Sequence, residues 1–347
     1  MRTRPPPVRP GLALGCVAAL GLACATAPVA FEELPEQPIA LLYRTLAQGR
    51  ERAEQVKRLR GESPDAALAA EGVMRLSAVE DYVDRLRGGR RVTPNLQGRL
   101  ALLFPRTNQV EILSAFVPGA LAGDWSADHR RLLAVSPQAG SAQLYEYSLE
   151  RGELARLTGG HQPRLRGSYG PDGRIAYVEA EAAGQGLVLT VWVTDVAASR
   201  PRRISDGPHD QNPRWSPDGR VLLFESVLDG RPTIQAIDPD DPDALPQPIA
   251  RGVEADVSPL GDWVVYAREL DEGFRLWRMR LDGTGKSALG ARSQGQADER
   301  HPSVSPDGRY VVYVAEEQDR QRIRIRRMDG SGDRLLLEDG DGTLPVW

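Results

Sequence analysis

Reactive side chains are few and widely spaced in this chain. The cysteines are Cys16 and Cys24, both within the first 24 residues, so the rest of the chain offers no disulfide, thiolate metal site or thiol nucleophile. Histidines stand at 129, 161, 209 and 301, and no two have the spacing of a metal-ligand pair. No Gly-x-Ser-x-Gly elbow presents a hydrolase serine. Asp282-Gly283-Thr284-Gly285-Lys286-Ser287 imitates the end of a phosphate-binding loop, but Arg280 stands where the first glycine is required. Asp238-Pro239-Asp240-Asp241-Pro242-Asp243 lacks the ligand spacing of a calcium loop and reads as a solvated turn. No motif calls for a metal or cofactor. The groups left to act together are His209, Asp210, Asn212, Glu254, Glu299 and His301. They can hydrogen-bond and carry charge, but they match no recognised catalytic constellation. Whether they meet depends on the elements that carry them.

Those elements are set by a repeat. From residue 98 onward the apolar period is strand-like, and one pattern returns: Asp124-Trp125-Ser126-Ala127-Asp128, Ser168-Tyr169-Gly170-Pro171-Asp172-Gly173-Arg174, Arg214-Trp215-Ser216-Pro217-Asp218-Gly219-Arg220, Asp256-Val257-Ser258-Pro259-Leu260-Gly261 and Ser303-Val304-Ser305-Pro306-Asp307-Gly308-Arg309. The third residues fall at 126, 170, 216, 258 and 305, a spacing that fits four short strands per unit. Pro-Asp-Gly is a turn with glycine at a positive-φ position. Antiparallel four-stranded units in series are propeller blades. Leu344-Pro345-Val346-Trp347 matches Asn212-Pro213-Arg214-Trp215, so the last residues read as an innermost strand without the rest of its blade. Residues 99–104 and 109–115 read as blade strands without an innermost strand. The two parts together close the ring at six blades.

The repeat resembles the TolB-type β-propeller, whose units run Pro-x-Trp-Ser-Pro-Asp-Gly-Lys/Arg into a strand. The resemblance covers residues 98–347 and implies a mainly β, six-bladed propeller. It departs at the front, where TolB carries an α/β domain. Similar propellers precede the catalytic domain of prolyl oligopeptidases and dipeptidyl peptidases, but the required hydrolase elbow is missing here. Loops entering the innermost strands converge on the axis, which places His209, Asp210, Asn212, Glu254, Glu299 and His301 at a polar, mostly acidic channel mouth. These groups either line a hydrated channel or recognise a peptide or cationic segment of another protein. Trp125, Trp215 and Trp347 share one repeat position and read as packing between blades.

The front of the chain reads as an address. Arg2, Arg4 and Arg9 precede an apolar stretch at 11–23, the form of a secretory signal peptide. Its end, Leu20-Gly21-Leu22-Ala23-Cys24, resembles the lipobox of bacterial lipoproteins, which implies lipidation at Cys24. Gly21 stands where that family usually has leucine. Ala25 and Thr26 follow, without the Asp that by resemblance to enteric sorting rules retains a lipoprotein at the inner membrane. The expected organisation is a signal peptide at 1–23, a linker at 24–35, a helical hairpin at 36–90 and the propeller at 98–347. The hairpin rests on Ile39, Leu42, Leu46, Gly49, Ala53 and Val56, then on Leu76, Val79, Val83 and Leu86, both at helical spacing.

Composition sets the outer limits. Hydrophobic residues make up 41% and charged residues 27%, the balance of a folded globular chain. The formal net charge of −4 lacks the basic footprint of a nucleic-acid binder. No apolar run reaches the roughly 18 residues of a membrane span. The expected protein is a lipoprotein on the periplasmic side of the cell envelope, anchored at the outer membrane. Its partners are expected to be envelope proteins or peptidoglycan-associated lipoproteins. The rival readings are a propeller enzyme, hydrolase or lyase, and a ligand sensor, each using the axial channel.

Overall fold

The computed structural model describes residues 27–48, 50–51, 98–183, 186–195, 200–271, 273–290, 298–317 and 320–347. Its described strands form six four-stranded antiparallel sheets. Blade 1 contains β1 (Ile39–Thr45), β2 (Arg99–Phe104) and β3 (Gln109–Ile112), completed by β24 (Gly340–Val346). Blade 2 is β4 (Leu121–Trp125), β5 (Arg131–Ser136), β6 (Gln143–Ser148) and β7 (Glu153–Arg156). Blade 3 is β8 (Arg164–Tyr169), β9 (Ile175–Ala183), β10 (Gly186–Thr194) and β11 (Arg202–Arg203). Blade 4 is β12 (Gln211–Trp215), β13 (Leu222–Leu228), β14 (Arg231–Ile237) and β15 (Gln247–Arg251). Blade 5 is β16 (Val253–Val257), β17 (Val264–Leu270), β18 (Gly273–Met279) and β19 (Ser287–Ala288). Blade 6 is β20 (Asp298–Val304), β21 (Tyr310–Glu317), β22 (Arg320–Arg327) and β23 (Arg334–Leu335).

The repeated turn has a local cause. In blade 4 the Ser216 hydroxyl donates to Asp218 Oδ1 (2.6 Å) and accepts from the Val221 N–H (2.9 Å), while Asp218 Oδ1 accepts from the Arg220 N–H (3.1 Å). Blades 2 and 6 repeat this with Ser126 and Asp128, and with Ser305 and Asp307. Each turn binds itself together within six residues, which is why it can be copied around the ring. Successive turns also touch. A Cβ on Gly219 would meet the Pro171 ring at 3.1 Å, and Gly219 has φ +73°, so glycine is required on both counts.

Core side chains sit in the wedges between blades. Leu133, Leu144, Leu165 and Tyr177 fill the wedge between blades 2 and 3, and Tyr266, Ala255 and Leu223 fill that between blades 4 and 5. Trp125, Trp215 and Trp347 are buried in such wedges, as packing. Trp125 donates its indole N–H to the Val346 carbonyl (3.1 Å), across the joint between blades 2 and 1. Within blade 1 the ring is closed by β24 paired antiparallel with β1, Tyr43 opposite Gly342 and Arg44 opposite Asp341.

The expected helical hairpin at 36–90 is corrected over residues 39–45. Ile39–Thr45 is a strand, the second of blade 1, with Ile39, Ala40, Leu41 and Leu42 all buried. A helical reading of Ile39 and Leu42 passes over Ala40 and Leu41. An unbroken apolar run suits a strand covered on both faces equally well, and periodicity cannot separate the two. The partner that decides it lies some 300 residues away. Helix does occur at residues 46–48 and 50–51. The rest of the expected hairpin, like Cys24 and the signal segment, lies outside the described residues.

Residues 27–38 are bound to the ring. Val29 and Leu34 are fully buried, in the wedge between blades 6 and 1. The Val29 N–H donates to Gly332 O (2.9 Å), Arg327 Nη1 donates to Ala27 O (3.1 Å), Arg106 Nε donates to Leu34 O (2.6 Å) and Trp347 Nε1 donates to Gln37 O (2.9 Å). In an up-and-down blade, the first-to-second and third-to-fourth connections share one face, here the turn face. The second-to-third and blade-to-blade connections share the other, the loop face.

Candidate functional site

Each innermost strand carries a β-bulge or register shift at one place, three residues before the Trp, Tyr or Val of the repeat. The residues there are Ala122, Arg166, Asn212, Glu254, His301 and Leu344. All but Ala122 take φ between +50° and +58°. The shift turns five of these side chains toward the axis, while in blade 2 it falls at Gly123 and Ala122 stays paired with Ala134. All six line a central cavity of about 40 Å³ together with Gly123, Arg214, Ala255 and Pro302. A water needs roughly 10–15 Å³, so the cavity has room for about three waters.

Asn212, Glu254 and His301 of the expected set meet at this cavity. Glu299 and Asp210 do not line it. They lie two positions earlier in the repeat and are buried against their neighbours. Glu299 accepts from Arg326 Nη2 (2.5 Å) and from the Leu276 N–H (3.2 Å), while Asp210 accepts from the Gly207 N–H (2.9 Å). His209 is half-buried and its backbone bridges to Leu189, beside the channel entrance. Arg166 and Arg214 line the cavity, and among its lining residues Glu254 is the one carboxylate. Arg166, Arg214, Ala122 and Leu344 were legible as site residues by counting three or one back from the repeat aromatic, with no regard to residue type.

The polar groups form a network that crosses three blades. Glu254 accepts from Arg300 Nη2 (2.5 Å), from Arg300 Nε (3.3 Å) and from the His301 N–H (2.7 Å). Burial alone would raise its pKa, but the Arg300 charge and these hydrogen bonds outweigh burial and hold it down. His301 Nδ1 lies 3.1 Å from Glu254 Oε1. Burial lowers the His301 pKa to about 4 against the pull of Glu254, so the ring is neutral at pH 7. A carboxylate only accepts, which puts the imidazole proton on Nδ1 and leaves Nε2 as an acceptor. Behind them Glu225 accepts from Asn212 Nδ2 (2.8 Å) and from the Glu254 N–H. Burial, then the Glu254 charge, pushes Glu225 up to about 7.

One level deeper, two joints between blades are stapled by an aspartate just before the Trp, Tyr or Val of the repeat. Asp124 accepts from the Tyr169 N–H (2.8 Å) and Ser168 Oγ (3.0 Å) of the next blade. Asp256 does the same with the Val304 N–H (2.8 Å) and Ser303 Oγ (3.2 Å), and also accepts from Arg214 Nε (3.2 Å). Burial raises Asp124 to about 6, with Arg214 opposing. No group of three metal-ligating side chains occurs among the described residues. Asp282 closes its own turn by accepting from the Thr284 N–H (2.9 Å), and Asp240 pairs with Arg174 (2.6 Å).

A curated relative, the Tol-Pal system protein TolB of Syntrophus aciditrophicus (strain SB), is 34% identical over 87 residues, which is 25% of this chain and 18% of that protein. TolB from Acinetobacter baumannii superposes with a TM-score of 0.59 at 21% identity, covering 72% of this chain and 62% of its own. The putative TolB from Agrobacterium tumefaciens gives 0.57 at 22% identity, covering 69% and 88%. Kuenenia stuttgartiensis hydrazine synthase gives 0.61 at 13% identity, covering 97% of this chain and 50% of that one, so the fold alone spans proteins of different chemistry. The TolB beta propeller domain matches residues 119–252 and 188–347, together most of the chain, and the chain belongs to that family.

Proposed function

We propose that this chain is a cell-envelope lipoprotein, anchored through Cys24, whose propeller is a protein-binding scaffold that uses the loop face around the axial channel. One observation carries the reading. Within the repeat, positions with a structural task recur in kind, as Ser216, Asp218 and Gly219 do in Ser305, Asp307 and Gly308. In five of the six blades the axial position keeps one backbone geometry but holds Arg166, Asn212, Glu254, His301 and Leu344, and blade 2 places Ala122 there. A rigid scaffold that presents different side chains at equivalent points is built for recognition.

The relative from Syntrophus aciditrophicus is a Tol-Pal system protein, which supports the class of partner: envelope proteins, with peptidoglycan-associated lipoproteins the first to try. The size of the channel favours binding at its mouth over a small-molecule site, since about 40 Å³ falls far below the roughly 300–1,000 Å³ of ligand pockets. The test is capture from solubilised envelope, with a peptidoglycan-associated lipoprotein followed by immunoblot. Arg166→Ala, at the channel, should weaken capture, and Arg220→Ala, exposed on the turn face, should leave it unchanged. Equal loss from both, or from neither, moves the binding surface off the loop face.

A further inference from the structure

The bound N-terminal segment fixes how the ring is presented. Among the described residues, the hydrogen bonds that hold residues 27–38 to the ring come from turn-face elements: the β22–β23 turn at Arg327 and Gly332, Tyr310 just after the β20–β21 turn, Arg106 in the β2–β3 turn, and Trp347 at the end of β24. Burial of Val29 and Leu34 makes this a packed attachment. Ala27 lies three positions after Cys24, and a fully extended chain covers at most about 10 Å over that length. A blade strand of seven residues, such as β1 or β24, rises about 20 Å from one face to the other. The tether is therefore too short to pass from the turn face to the loop face.

We infer that the turn face, at its blade 6 and blade 1 rim, lies against the lipid surface, and that the loop face with the channel mouth points away from it. The inference rests on lipid attachment at Cys24, and its occupant is the headgroup layer of the bilayer that carries the anchor. It orients the propeller without any lipid-binding side chains, because geometry alone excludes the other face. β1 ends and β2 begins on the loop face, away from the lipid.

The experiment uses the mature chain beginning at Cys24, its thiol coupled to a maleimide-headgroup lipid in vesicles that carry a headgroup-level quencher. A fluorophore is clicked onto an azido side chain in place of Glu32, exposed beside the turn face, or of Ala139, exposed on the loop face in the β5–β6 connection. Quenching at position 32 should exceed that at 139 several-fold. Inserting an approximately 20-residue Gly/Ser linker after Thr26, with a root-mean-square reach of ~25 Å, should abolish the difference. Equal quenching at both sites in the unextended protein overturns the inference. So does a difference that survives the linker, since the face would then adhere by itself. Acyl labelling of wild type against Cys24→Ser decides the lipid reading separately, and thiol coupling decides the orientation whichever way that labelling falls.

Discussion

Glu225 and Glu254 lie side by side in the wall of the channel, and their surroundings drive them in opposite directions. Arg300 and His301 stabilise the Glu254 anion, while burial and that same anion keep a proton on Glu225 up to about pH 7. Protonated Glu225 makes the native state bind more protons than the unfolded chain between the ordinary value, 4.5, and about 7. Stability from this group is complete below that window and is lost as pH rises through it. Glu225→Gln mimics the protonated form. The difference in melting temperature, wild type minus variant, should fall as pH is raised from about 4.5 to about 7 and level off above. A constant difference across that range would show that Glu225 ionises normally. His301 acts with the other sign: native His301 stays neutral down to about 4, so acidification below its ordinary value of 6.5 costs stability. His301→Gln should flatten the acid limb of the melting profile. Glu254 and Glu299 show why residue type alone could not identify the site. Both are glutamates entering an innermost strand, yet one faces the axis and the other the wedge, because side chains alternate and a bulge resets the count between Arg300 and Ser303.

At the scale of the element, the Ser-Pro-Asp-Gly turn was legible because everything that holds it lies within six residues. Ser216→Ala removes one hydrogen bond to Asp218 and leaves the Val221 N–H without its partner. The expected loss is about 1–2 kcal/mol, read from denaturant midpoints at unchanged m-value. Blade 3 departs from the pattern with Gly170, and the reason lies in the neighbouring blade: a Cβ there would meet the Trp215 ring at 3.2 Å. β1 is the opposite case. Its pairing with β24 joins residues 39–45 to 340–346, and nothing near Ile39 in sequence announces that partner. The attachment of residues 27–38 was illegible for the same reason. Val29 and Leu34 are isolated apolar residues among Pro, Glu and Ala, and only the wedge between blades 6 and 1 gives them a place.

For the molecule as a whole, stability is concentrated at one joint. Five blades are continuous in sequence, and blade 1 is assembled from both parts of the chain. Trp347 is buried there, packed with Val29, Leu34 and Ile39, and ties Gln37 and Ser303 together through its indole and backbone N–H groups. Trp347→Ala should cost about 3–5 kcal/mol. For a domain of this size that lowers the melting temperature by roughly 10 °C. Loss of the same magnitude from Trp347→Phe would locate the effect in the indole hydrogen bond; a small loss would locate it in the ring's volume.

The pairing of β24 with β1 also sets an order of events in time. A chain emerges from synthesis or export with residues 39–45 and 99–112 first, and their sheet lacks its innermost strand until residues 340–346 arrive. The apolar run Ile39-Ala40-Leu41-Leu42, buried in the finished ring, spends that interval uncovered with a free strand edge. Folding one blade at a time, from the front, is therefore closed to blade 1. The ring can complete only once nearly the whole chain has been delivered, and until then its first strands depend on whatever holds exposed segments apart during delivery.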